Sequence, residues 1–177
     1  MLDAGTKEVH ARTCMETFFE KIAMAGSVKL ADIIDALEMQ SDETRAYLNI
    51  KTGEVVTITD EELSSIDDDL LGIIREPAED SGEQTNEIIE SEDYLELPDK
   101  FEINEYGMME KFCLSLENDN LRDTMYRAIK GSGAFRRFKD SILRFELEGE
   151  WYKYRDQKIK EVAIEWCQAH EISFVEE

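Results

Sequence analysis

Between Asn104 and Cys167 the apolar residues fall into four successive stripes of helical spacing, and nothing else in the chain constrains its fold as strongly. Asn104 is placed to cap the first, with Tyr106, Met109, Phe112, Cys113 and Leu116 on one face. Asp119 is placed to cap the second, with Leu121, Met125, Ala128 and Ile129, and Gly131 is a natural stop. Phe135, Phe138, Ile142 and Phe145 make the third stripe, and Ile159, Val162, Ala163, Trp166 and Cys167 the fourth. Four amphipathic helices joined by short connections bury their faces against one another, so the pattern predicts a four-helix bundle-like part.

Upstream the period changes. Leu30, Ile33, Ile34 and Leu37 fit one short helix that Ser27 is placed to cap. In "RAYLNIKTGEVVTIT" strand-forming residues flank Lys51-Thr52-Gly53, which predicts strands near 45–50 and 54–58 joined at Gly53. Thr59 stands three residues before Glu62, the spacing of a capping box, so a short helix is expected to open there. From Glu76 to Glu92 the chain is rich in acids, Pro, Gly and Ser and reads as a linker, while "DYLELPDKF" reads as a strand that Pro98 ends or confines to a sheet edge. The expected fold class is therefore α+β. Its expected parts are an N-terminal extension or expression remnant over 1–27, a helix and β-hairpin part over 28–75, an acidic linker over 76–97 and a helical part over 98–177.

Charge separates along the same lines. The 177 residues carry a formal net charge of −22. From Glu54 to Glu105 there are 19 acids and two bases, whereas from Leu121 to Lys160 there are 11 bases and six acids. The overall charge favours solubility and repels nucleic acid and anionic membrane over most of the surface. No apolar run reaches the roughly 18 to 20 residues that span a bilayer, and the N-terminus lacks the basic start and apolar stretch of a secretory signal. Cys14, Cys113 and Cys167 are odd in number and widely spaced, which suggests reduced, packed thiols in a cytoplasmic protein.

Motifs for chemistry are missing. The two histidines, His10 and His170, have no ligand-spaced neighbours, so no metal is expected. Asp67-Asp68-Asp69 opens like a calcium loop, yet Leu71 and Ala78 occupy positions where ligands are required. No G-x-S-x-G elbow, phosphate-binding G-x-x-x-x-G-K or H-E-x-x-H occurs, so the chain reads as a protein without cofactor and not as an enzyme.

One stretch invites a binding role. In "GSGAFRRFKD" Gly131 and Gly133 precede a helix whose first turns carry Arg136, Arg137 and Lys139, and Trp151, Tyr154 and Arg155 follow. Backbone N–H groups and guanidinium groups could hold an anion there, with the aromatic rings stacking on bases. The packing alternative makes Gly131 and Gly133 a turn, turns Phe135 and Phe138 inward, and pairs Arg136 and Arg137 with Asp140 or with the acidic middle of the chain.

The blocks "VKLADIIDALEMQSDETRAYLNIKTGEVV", "LPDKFEINEYGMMEKFC", "GAFRRFKD" and "EWYKYRD...AIEW" together resemble the bacterial uncharacterised protein family 0158, from about Val28 to Ile172. The resemblance implies a soluble bacterial cytoplasmic protein with a hairpin part and a helical C-terminal part, and lends no activity, cofactor or catalytic residue. The resulting expectation is a noncatalytic module that docks a protein partner, with Gly131, Gly133, Arg136, Arg137, Lys139, Trp151, Tyr154 and Arg155 as candidate site residues. The alternatives are a nucleotide or single-stranded RNA binder through "GSGAFRRFKD", which the net charge disfavours, and an acidic DNA mimic.

Overall fold

The computed structural model describes residues 28–62, 88 and 91–176. The expectations for 1–27, for Asp67–Ala78 and for most of the acidic linker lie outside these residues. The described chain is α+β, with two small sheets and six helices. It divides into two units. One holds the described residues up to Leu97 together with those from Ile164, and the other is Pro98–Ala163.

In the first unit, β1 (Val28–Lys29) leads directly into α1 (Leu30–Met39). Lys29 is the N-cap residue and gives no side-chain cap, so the helix does not start from a Ser27 cap as its sequence suggests. A strand occupies that place instead: β1 pairs in parallel with β5 (Phe174–Val175), Val28 opposite Phe174. Leu30, Ile33 and Leu37 are buried, as the helical period requires.

The hairpin forms where expected, between β2 (Thr44–Asn49) and β3 (Val55–Thr59). They run antiparallel with Ala46 opposite Thr57 and Leu48 opposite Val55. Asn49 organises the turn, its Oδ1 accepting from the N–H groups of Lys51 and Thr52. Period-two burial along β2 sends Ala46 and Leu48 inward and Arg45 outward. β4 (Tyr94–Glu96) adds to the other side of β2, so it is an edge strand that ends just before buried Pro98. Arg45 reaches Glu96 across this pairing at 3.1 Å. The Thr59–Glu62 capping box is present: Glu62 Oε2 accepts from Thr59 N–H at 2.7 Å, and Thr59 Oγ1 accepts from Glu62 N–H at 3.2 Å. The backbone N–H of Thr59 and its hydroxyl, which donates to Glu62 Oε2 at 2.8 Å, hold the Glu62 carboxyl below its ordinary value.

The second unit opens with a short helix that the apolar stripes do not reveal, α2 (Lys100–Ile103), capped by Asp99 and Glu102 in a complete capping box. Asn104 then does two jobs. In the left-handed conformation it ends α2, and its side chain accepts from Gly107 N–H to start α3 (Glu105–Ser115). α4 (Asp119–Ala128) is capped by Asn118, one residue before the Asp119 expected from sequence. α5 (Ala134–Arg144) follows, and α6 (Glu148–Ala169) begins well before its apolar stripe. Residues of α6 through Ala163 belong to this unit, and its last turns to the first unit.

The core of the helical unit is aromatic. Phe112 of α3, Phe138 of α5 and Trp151 of α6 meet edge to face, with ring centroids 4.7 Å apart for Phe138–Trp151 and 5.3 Å for Phe112–Trp151. Tyr154 closes the cluster 5.6 Å from Phe112. Phe135 does not join them. It is 42% exposed, because the buried face of α5 is Ala134, Phe138 and Ile142 at i, i+4 and i+8, and Phe135 lies at its margin.

Candidate functional site

The turn between α4 and α5 is built from two left-handed glycines, Gly131 at φ 78° and Gly133 at φ 75°. An L-residue pays about 1–2 kcal/mol for that conformation, which explains both glycines without a ligand. The α4 end leaves carbonyls that the helix itself cannot satisfy. Two side chains from elsewhere in the unit take them. Tyr106 Oη donates to the carbonyl of Ile129 at 3.1 Å. Arg137 does the rest: its Nε donates to Ala128 O at 2.8 Å, its Nη2 to Lys130 O at 2.6 Å and more distantly to Gly131 O, and its Nη1 to Ser132 O.

These bonds account for the arginine at 137 in "GSGAFRRFKD". The planar fork of Arg137 is directed at four carbonyl oxygens and not at Asp140. Those oxygens, with the partial negative charge of a helix C-terminus, line the place where an anion would have to sit beside the guanidinium. Trp151 is buried at 4% exposure between Phe112 and Phe138, so its ring has no free face for a base. Tyr154 is half-buried against the same cluster. Arg155 turns to Glu105 at 3.3 Å. Of the residues singled out by sequence, Arg136 and Lys139 remain exposed with side chains directed outward from α5, while Gly131, Gly133 and Arg137 form its entry turn.

The structure brings to Arg136 and Lys139 two residues that were not singled out as a surface. Phe135 and Leu143 lie four residues to either side of Lys139, so all three share one ridge, and Arg136 flanks it. Leu143 is 62% exposed. The signal was present in the sequence as apolar residues offset from the buried 134–138–142 line.

Elsewhere in the unit, Lys130 lies 3.9 Å from the centroid of the Tyr126 ring and donates to Glu110, to which Tyr126 Oη also donates. Tyr126 and Glu110 raise the Lys130 ammonium above its ordinary value, and Lys130 and Tyr126 lower the Glu110 carboxyl. Burial pushes the thiols of Cys113 and Cys167 up to about 11, which leaves them protonated and poor nucleophiles near neutral pH. Among the described residues no group of three or more His, Cys, Asp or Glu could hold a metal ion, and no helix is long and apolar enough to cross a membrane.

Comparison with known proteins gives one family and one relative. The family described as "Uncharacterised protein family (UPF0158)" matches residues 26–177. A Pseudomonas aeruginosa protein named "UPF0158 protein PA5073" is 28% identical over 67 residues, covering 37% of this chain and 44% of that protein. The match thus spans less than half of the relative's length. No solved structure matches the chain.

Proposed function

The chain belongs to the uncharacterised protein family UPF0158, and from that premise we propose that it is a noncatalytic, cytoplasmic protein-interaction module whose docking surface is the outer ridge of α5. The observation that carries this reading is the exposure of Phe135 and Leu143 on either side of Lys139, with Arg136 beside them. Apolar side chains left in water between cations favour a partner that covers the one and pairs with the other. The occupant is an acidic protein segment, best an amphipathic helix whose apolar residues are flanked by carboxylates. A phosphate backbone fits less well, since Arg137 is engaged and the net charge is −22. The protonated, buried thiols support the noncatalytic half of the reading.

The test places a photo-crosslinking benzoylphenylalanine at Leu143 in bacterial cells producing the chain, with Glu150 as the control position. One discrete adduct to a protein with an acidic, apolar surface is expected at 143 and not at 150. It should weaken with salt and disappear in Arg136→Glu/Lys139→Glu. No adduct at 143, or only nuclease-sensitive adducts to RNA, overturns the reading.

A further inference from the structure

We infer that Arg137 is the positioning residue of the α5 ridge: by holding the carbonyls of Ala128, Lys130, Gly131 and Ser132 it fixes how α5 leaves the end of α4, and so presents Phe135, Lys139 and Leu143 preformed. The functional half of this inference rests on the docking reading above. The structural half stands on the turn alone.

The turn needs such a restraint. Gly131 and Gly133 are both exposed and left-handed, and glycine carries the largest backbone freedom of any residue. A Cβ at Gly131 would meet nothing within 4 Å, so no packing limits the turn there. Gly133 is the N-cap of α5 and has no side chain with which to cap it. Arg137 comes from the first turn of α5 and reaches back over the segment it follows, tying Ala128 on the last turn of α4 to Lys130, Gly131 and Ser132. Each of these bonds spans at least five residues along the chain, so one side chain closes the whole connection. The fit is close: a Cβ at Gly133 would lie 3.2 Å from Arg137 Nη1. A lysine at 137 would bring three tetrahedral donors on one nitrogen, which cannot reach carbonyls spread over the width of a planar fork.

A preformed ridge loses less ordering entropy when its partner docks. Arg137 therefore acts on binding through geometry, without touching the partner.

The experiment compares Arg137→Gln and Arg137→Lys with the parent chain, each checked for retained helix by far-UV circular dichroism. Amide exchange is read at Lys130 and at residue 137, whose N–H groups bond Arg127 O and Gly133 O at either end of the turn. Crosslinking yield is read from benzoylphenylalanine at Leu143. Both variants should exchange about tenfold faster at these two amides, the equivalent of one charged hydrogen bond, and crosslink less. Millimolar methylguanidinium should restore both readouts in Arg137→Gln, and ammonium should restore neither. Unchanged exchange, or exchange that methylguanidinium does not restore, overturns the structural half. Restored exchange with no recovery of crosslinking overturns the functional half alone, and absence of any crosslink in the parent chain removes the docking reading while the exchange result stands. If Arg137→Gln loses its helix, Arg137→Lys decides the exchange arm by itself: parent-like exchange there overturns the structural half.

Discussion

Arg137 Nε donates to the carbonyl of Ala128 across 2.8 Å, so the side chain that looks best placed to bind an anion is spent on the end of the preceding helix. Its acceptors are neutral dipoles. Arg137→Ala should therefore lower stability by about 1.5–3 kcal/mol, the range of hydrogen bonds to a charged group, with little change on adding salt. Urea unfolding at low and high ionic strength checks both statements, and a loss that vanishes in high salt would point to an ion pair instead.

The two glycines of the turn separate backbone strain from contact. At Gly131 an alanine meets open space and only the positive φ opposes it, so Gly131→Ala should cost about 1 kcal/mol. At Gly133 the new methyl also crowds Arg137 Nη1, and Gly133→Ala should cost roughly 2 kcal/mol. Combining Gly133→Ala with Arg137→Ala should cost less than the sum of the two, which a double-mutant cycle in urea measures.

Two helix ends carry the opposite opportunity. Glu146 (φ 58°) follows α5 and Glu171 (φ 56°) follows α6, each left-handed where glycine is the usual choice. In both, the next residue closes the helix, Leu147 N–H to Ile142 O and Ile172 N–H to Cys167 O, each at 2.8 Å. Glu146→Gly and Glu171→Gly should each raise stability by about 0.5–1 kcal/mol, strain relief exceeding the added freedom of the unfolded chain. Thermal unfolding reads the sign directly.

The buried thiols set an alkaline limit. Folding keeps Cys113 and Cys167 protonated up to about 11, while in the unfolded chain a thiol ionises near 8.5. The unfolded state therefore binds fewer protons in that interval, and stability is full below about pH 8.5 and falls as pH rises toward 11. In a Cys14→Ser background, native protein at pH 8 should react with a thiol reagent no faster than it unfolds, and Cys113→Ala/Cys167→Ala should flatten the alkaline decline. Rapid labelling of either cysteine in the native state would refute their burial.

What could be read from sequence was what is local. Asn104 caps α3 and the Thr59–Glu62 box forms as their spacing predicts, because donor and acceptor lie within three residues. Asn118 and Asp119 are adjacent residues of equal capping ability, so pattern could not choose between them. Phe135 shares the spacing of the buried stripe, which points it inward by pattern, and only the finer position of Ala134, Phe138 and Ile142 sets it at the margin. The basic neighbours of Trp151 suggest a stacking surface, whereas its own helix places it toward Phe112 and Phe138. The role of Arg137 was visible only as a Gly-x-Gly stop followed four residues later by an arginine, a spacing that serves an anion site equally well. The pairing of Val28 with Phe174 has no local signal at all, since each strand is two residues long and its partner lies at the far end of the described chain.

That pairing bears on how the chain is made. A ribosome releases the residues of α1 and the three-stranded sheet long before Phe174, yet among the described residues β1 has its strand partner in β5. Pro98–Ala163 is continuous in sequence and can close as it emerges. The unit that begins first is thus completed last, after a delay of roughly 4 to 16 seconds at ordinary elongation rates of 5–20 residues per second. Through that interval Val28 and Lys29 lack the strand that pairs with them, and a nascent chain arrested before β5 is the form in which a chaperone would meet that open edge.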